Sequence, residues 1–490
     1  MTADGSTHRP DHPNPSPGSS SLDFSTVVQQ RRWVADGEVT ARELVEHSLN
    51  RIARCDRHLN AFAHVLADEA RATADRLDAD CQARRPLGPL HGVPIAIKDE
   101  NDVAGLPTAY GGGSVRTPAQ ADSELVRRLR EAGAIIIGKT RMPEFGIWPF
   151  TESAANGWTR NPWDPGRSPA GSSGGTAAAV ASGMVAAGIG GDGGGSIRLP
   201  SSWCGLFGLK PQRGRVPTAP NPDLWRALGT LGPLTRTVAD SALIYDVISG
   251  AAETDRFRAD PLESTFAEAA ALPPRRLRIL LSTRNPMGGS VADDATTVAL
   301  RGLADRLRTA GHTVIDDDGS VDTVRYPKLA VPFQIQVATG VAEEAARVEF
   351  PELLEARTRR MASAGRLARH VVGRAERSAD KTAKRFLAEL FSRCDVLLTP
   401  TTPTTAMPVG QLDRHGTVGL TRLASDVASY TAAWNVLGNP AAAVPIGFDA
   451  AGLPQSAQLV GPTGGEPLLI SLAAEIEGLH PDPDRRPQIR

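Results

Sequence analysis

With 490 residues, 41% of them hydrophobic and 22% charged, the chain has the composition of a globular protein able to bury a sizeable core, and its length leaves the domain count open. Fifty-four basic residues stand against 55 acidic ones, a formal net charge of −1, so no overall field favours nucleic acid or an acidic surface. The four cysteines, Cys55, Cys81, Cys204 and Cys394, lack the paired spacing of a metal site and read as reduced thiols, and no apolar run reaches bilayer-spanning length; a cytoplasmic protein is expected.

Residues 1–22 are polar, rich in Pro, Ser and Asp and without an apolar signal core, which predicts a disordered tail ahead of one domain over residues 23–485. Phe24–Ala35 reads as a short helix, and Thr40-Ala-Arg-Glu43 has capping-box spacing ahead of Leu44, Val45, Leu49 and Ile52 at helical period. Val93–Ile97 is a short apolar run suited to a buried strand that delivers Lys98 at its end. A helix over 122–132, stopped by Gly133, leads into a buried strand at 134–137. The small apolar run 174–187 predicts a closely packed helix. Residues 204–211 follow without an assigned element, then a loop or strand from Leu234 and a helix from near Thr237 to Ile248. Residues 251–273 form a connector. Alternation resumes with a strand at 277–282, a helix at 293–309 and a strand at 312–315. The stretch 340–393 is helical with an Arg-rich solvated face, and 396–398, 441–446 and 456–459 are the last strands.

Chemistry concentrates in Gly188-Ile-Gly-Gly-Asp-Gly-Gly-Gly-Ser-Ile-Arg-Leu-Pro200, where Ser196 follows three consecutive glycines. Glycine lets the backbone reach positive φ and lets a ligand approach, so this run can aim several N–H groups at one point behind a nucleophilic hydroxyl. The N–H groups of Gly193, Gly194, Gly195 and Ser196 are the expected oxyanion hole, with Asp192 and Arg198 holding the turn as an ion pair. A second knot, Ser168-Pro-Ala-Gly-Ser-Ser-Gly-Gly-Thr176, and Lys98 complete a set of two serines and a lysine that suggests acyl transfer without histidine. Lysine is a poor base at its ordinary pKa of about 10.4, so such chemistry requires burial to destabilise its ammonium. A structural Lys98 facing Asp99 is the competing reading, as a structural hydroxyl is for Ser173 and a core thiol for Cys204.

Four other patterns compete. Gly133-Ala-Ile-Ile-Ile-Gly-Lys-Thr140 matches the phosphate-loop pattern, but its centre is a buried strand where that motif needs a loop. Gly188–Gly193 fits a dinucleotide fingerprint but is expected to follow a helix rather than a strand. Ser378-Ala-Asp-Lys381 lies in a charged helix without the companion elements of penicillin-binding enzymes. Gly171-Ser-Ser-Gly-Gly175 satisfies a nucleophile elbow at Ser173, for a serine esterase with His312, His370, His415 or His480, but a proline-broken loop precedes it where a strand is required.

Six segments in order, Leu90–Asp99, Gly138-Lys-Thr-Arg-Met-Pro-Glu-Phe145, Asn161-Pro-Trp163, Gly171–Gly175, Gly190–Pro200 and Gly208-Leu-Lys-Pro211, resemble the amidase signature family. The resemblance implies an α/β fold, one large domain around a mixed β-sheet flanked by α-helices. By position it implies Lys98 as base, Ser172, preceded by a cis peptide, as bridging serine, and Ser196 as nucleophile. Ala170 departs from a common glycine, and Gly191 and Gly193 flank Asp192 where many members carry larger residues.

The implied activity is hydrolysis of carboxylic amides, or of esters or carbamates by the same route, on a small-molecule substrate with water and without cofactor or metal. A homodimer is the candidate assembly, and neither nucleic acid nor membrane is expected as partner. The alternative within the family is an amidotransferase subunit releasing ammonia from glutamine for a tRNA-linked partner. Gly146, Ile147, Trp148, Phe150 and Thr151, in the loop between two motifs, are the candidate substrate contacts, although packing onto the core explains Trp148 and Phe150 equally well.

Overall fold

Thr26 and Thr40 each close a reciprocal capping box, with Gln29 and Glu43, and so start the helices Val27–Asp36 and Ala41–Leu59. The structure, a computed structural model, describes residues 22–489 apart from 222, 224, 289 and 318–328; all but the last residue of the expected tail lies outside the described residues.

Among the described residues thirteen strands follow in chain order: β1 (Phe62–Val65), β2 (Pro94–Lys98), β3 (Ile135–Thr140), β4 (Glu152–Ser153), β5 (Gly157–Trp158), β6 (Ala187–Asp192), β7 (Phe207–Lys210), β8 (Thr230–Thr235), β9 (Arg278–Leu281), β10 (Thr313–Asp316), β11 (Val396–Pro400), β12 (Ala441–Phe448) and β13 (Pro454–Val460). Strands β4 and β5 pair with each other, and the other eleven make one sheet in the order β1-β3-β2-β6-β8-β7-β12-β13-β11-β9-β10. Strand β2 runs parallel to β3 and β6, β9 runs parallel to β10 and β11, and the remaining pairs are antiparallel. The protein is therefore an α/β fold with one large mixed sheet flanked by helices. Every residue of β2 and β3 is buried, as expected of strands covered on both faces, and this is why the apolar runs 93–97 and 134–137 show no alternation.

Two helical expectations need correction. The helix from Gly174 ends at Ala181, with Gly183 at φ 73°, and Ala187–Asp192 is strand β6. A run of Ala and Gly has no side-chain period to separate helix from strand. Gly188 and Gly190 are where Thr176 and Ser173 of the preceding segment come closest to β6, so a Cβ at either would collide with them. The stretch expected as helix from 340 starts earlier, at Ala330–Ala345, and continues as Ala356–Ala368 and Val372–Arg393. Residues 204–211 contain β7, and helices Ala67–Gln82, Thr417–Val427 and Glu466–Gly478 had no assignment from sequence. Among the described residues no helix is long and apolar enough to cross a membrane.

Candidate active site

Strand β2 carries Lys98 at its last position, 1% exposed, and aims its Nζ to within 2.8 Å of Ser172 Oγ. Ser172 follows a cis peptide bond from Gly171 and sits just ahead of the helix Gly174–Ala181. Ala170, in the same knot, adopts φ 63°, in the left-handed region that favours glycine. Burial pushes the Lys98 ammonium below its ordinary pKa, while Glu100 and, more weakly, Asp192 pull it back up. The competing reading, a structural Lys98 paired with Asp99, is not what forms. Adjacent residues of a strand point to opposite faces, so Asp99 meets Lys139 of β3 at 2.8 Å, and Lys98 instead meets Glu100 at 3.0 Å.

The glycine turn is organised by Asp192. Its Oδ1 accepts the Gly195 N–H at 2.7 Å and its Oδ2 accepts that of Ile197 at 3.2 Å. Arg198 clamps the same carboxylate through Nη2 and Nε, both at 2.9 Å. The guanidinium is filled out by Thr431 O, Gln458 Oε1 and Asn435 Oδ1, and the Thr431 hydroxyl donates to Gly194 O at 2.7 Å. Burial alone raises the Asp192 pKa, but the Arg198 charge and hydrogen bonds outweigh it and hold the carboxyl well below the usual range. Gly195 has φ 132° and its Cα lies against Thr431, so a side chain there is excluded on both counts.

This arrangement revises the expected oxyanion hole. The Gly195 N–H is committed to Asp192 and is unavailable to a substrate, whereas no described residue accepts from the N–H groups of Gly193, Gly194 or Ser196. Ser196, half-buried, lines the same cavity as Lys98 and Ser172, which opens to solvent. Gly146, Ile147 and Trp148 line it too. Phe150 and Thr151 do not: Phe150 packs in the core beside Trp203, and the Thr151 hydroxyl bonds Ala170 O and the Gly174 N–H, tying the loop to the serine knot.

Much of the wall was missed from sequence. Trp225, Met287, Phe333, Val337 and Met361 come from beyond the motif-bearing segments and carry no motif; no short-range spacing could have found them. The rejected patterns have structural occupations instead. Ser173 exchanges hydrogen bonds with the Gly191 backbone at 3.2 and 3.3 Å, and Ser378 and Lys381 are on a helix. The centre of the phosphate-loop look-alike is β3, and Gly188–Asp192 belongs to β6, so the dinucleotide look-alike lies within a strand instead of following a helix. His312 pairs with Glu475 at 2.8 Å, and no histidine is among the described residues lining the cavity.

A buried lysine touching a serine, and a second serine behind a glycine turn, open onto one cavity beside this mixed sheet. The chain belongs to the amidase family, which it matches over residues 43–470. It is similar to the putative amidase AmiB2 of Mycobacterium tuberculosis (strain ATCC 25618 / H37Rv), with 42% identity over 469 residues covering 96% of this chain and 99% of the relative. It also resembles a glutamyl-tRNA(Gln) amidotransferase subunit from Synechococcus sp. (strain CC9311), with 34% identity and with 94% and 98% covered. Among solved structures it is similar to 6-aminohexanoate cyclic dimer hydrolase complexed with substrate, with TM-score 0.87, 29% identity, and 95% and 99% covered. The protein is an amidase, a hydrolase of carboxylic amide bonds; the lower identity to the amidotransferase protein disfavours that alternative.

Proposed function

We propose that the amide is cleaved through an acyl-enzyme on Ser196, with Ser172 relaying protons to and from Lys98. The observation that carries this reading is the 2.8 Å contact of Lys98 Nζ with Ser172 Oγ, both opening onto the cavity that Ser196 lines. Neutral Lys98 accepts the Ser172 proton while Ser172 accepts that of Ser196, whose oxygen bonds to the carbonyl carbon. The N–H groups of Gly193, Gly194 and Ser196 are the candidate donors to the tetrahedral oxyanion. On collapse the C–N bond breaks and the relay runs backwards to protonate the leaving nitrogen; water then takes the same route to release the acid.

The aromatic and methionine wall supports an apolar or aryl acyl group as the preferred substrate part. Hydrolysis of a chromogenic anilide tests the reading. Ser196→Ala is expected to abolish turnover and Lys98→Ala to be nearly as damaging, because members of one relay fail together. Wild-type rates in Ser196→Ala would remove the assignment.

A further inference from the structure

Glu100 lies two residues beyond Lys98, just past the end of β2, and nothing in the mechanism above uses it. Its side chain is 10% exposed and lines the cavity, and its Oε2 stands 3.0 Å from Lys98 Nζ. Its Oε1 is buried with no hydrogen-bond partner among the described residues, so no polar network other than Lys98 explains the carboxylate's position. That oxygen lies directly over the Cα of Gly191, where a Cβ would collide with it. Gly191 has ordinary strand pairing, to Leu231 of β8, so pairing does not dictate a glycine; the space its missing side chain leaves is the space the carboxylate fills.

We propose that Glu100 is a positioning residue for the amidase reaction, holding Lys98 against Ser172, and that Gly191 is the residue that admits its carboxylate to the site. The proposal rests on the lysine relay described above. The other carboxylate acting on Lys98, that of Asp192, is already engaged by Arg198 across the glycine turn, and Asp99 points away to Lys139 on β3. Tyr110, on the loop after β2, has its phenol pushed up by burial and next by Glu344, with Glu100 contributing least. Glu100 is therefore the carboxylate left to bias the lysine. An anion at this distance favours the ammonium, so Glu100 opposes the desolvation that makes Lys98 a base and sets how far its titration falls.

Glu100→Gln keeps the shape and removes the charge. The expected result is a shift of the acid limb of kcat/KM to lower pH by about one unit or more, the usual size of an opposite-charge effect at contact distance. Gly191→Ala, which displaces the carboxylate, is expected to move the limb the same way and to add little in a Glu100→Gln background, while Glu100→Asp restores part of the wild-type limb. A purely structural Glu100 would scale kcat/KM without moving the limb. The chain has only six lysines, so the Lys98 titration can also be followed by 13Cε NMR in a Ser196→Ala background, independent of turnover. A Lys98 titration and a limb both unmoved by Glu100→Gln would overturn the proposal and leave the relay standing. A Lys98→Ala variant with wild-type turnover would overturn the relay instead.

Discussion

Asp192 and Arg198 meet at 2.9 Å with neither side chain reaching solvent, and this one pair fixes the turn that presents Ser196. Removing one partner of a buried ion pair leaves an uncompensated charge and costs about 3–5 kcal/mol. Arg198→Leu is therefore expected to lower the urea midpoint strongly and to abolish activity, with Asp192→Asn close behind. A variant with an unchanged midpoint would show that the turn holds without the pair.

Gly195→Ala tests the turn more locally. The position requires positive φ and has Thr431 against its Cα, so a methyl group must displace the loop that carries Gly193, Gly194 and Ser196. Misplacing oxyanion donors commonly costs about 100- to 1000-fold in kcat. Steady-state kinetics on an anilide should show a kcat loss of that order with KM little changed.

The relay has a pH signature. Burial lowers the Lys98 pKa from its ordinary value, and the base must be neutral, so kcat/KM rises with pH and falls about tenfold per unit below the pKa of Lys98. No limb near about 6.5 belonging to a histidine is expected. A neutral limb lost in His370→Ala or His415→Ala would favour the esterase reading at Ser173.

Legibility from sequence followed the range over which a signal acts. β2 and β3 were readable because parallel strands buried on both faces are short apolar runs, and Lys98, Ser172 and Ser196 because glycine and serine knots constrain backbone locally. The break between the helix Gly174–Ala181 and β6 was not readable, because Ala and Gly show no period. Asp99 was weighed as the lysine's partner because it is adjacent, whereas pleating sends it to Lys139. The Gly195 N–H was assigned to substrate because sequence shows a glycine but not the carboxylate that captures it. Phe333 and Met361 reach the cavity through tertiary packing alone.

Phe333 has its ring over Gly194, where a Cβ would collide with it, and so it bounds the cavity beside the glycine turn. Phe333→Ala is expected to shift kcat/KM toward bulkier acyl groups by about tenfold or more, since one methylene's fit in an apolar pocket is worth about 1–3 kcal/mol. A panel of anilides differing in acyl size measures the ratio, and an unchanged ratio would place the acyl group elsewhere.

The most direct measurement is the mass of the covalent intermediate. Wild-type enzyme mixed with a slowly deacylating aryl carbamate and quenched in acid should gain one carbamoyl group, which peptide mapping should place on Ser196. Lys98→Ala at the same pH should gain it far more slowly, because the hydroxyl has lost its base. An adduct on Ser173, or labelling of Ser196 at an unchanged rate without Lys98, would contradict the lysine-driven relay.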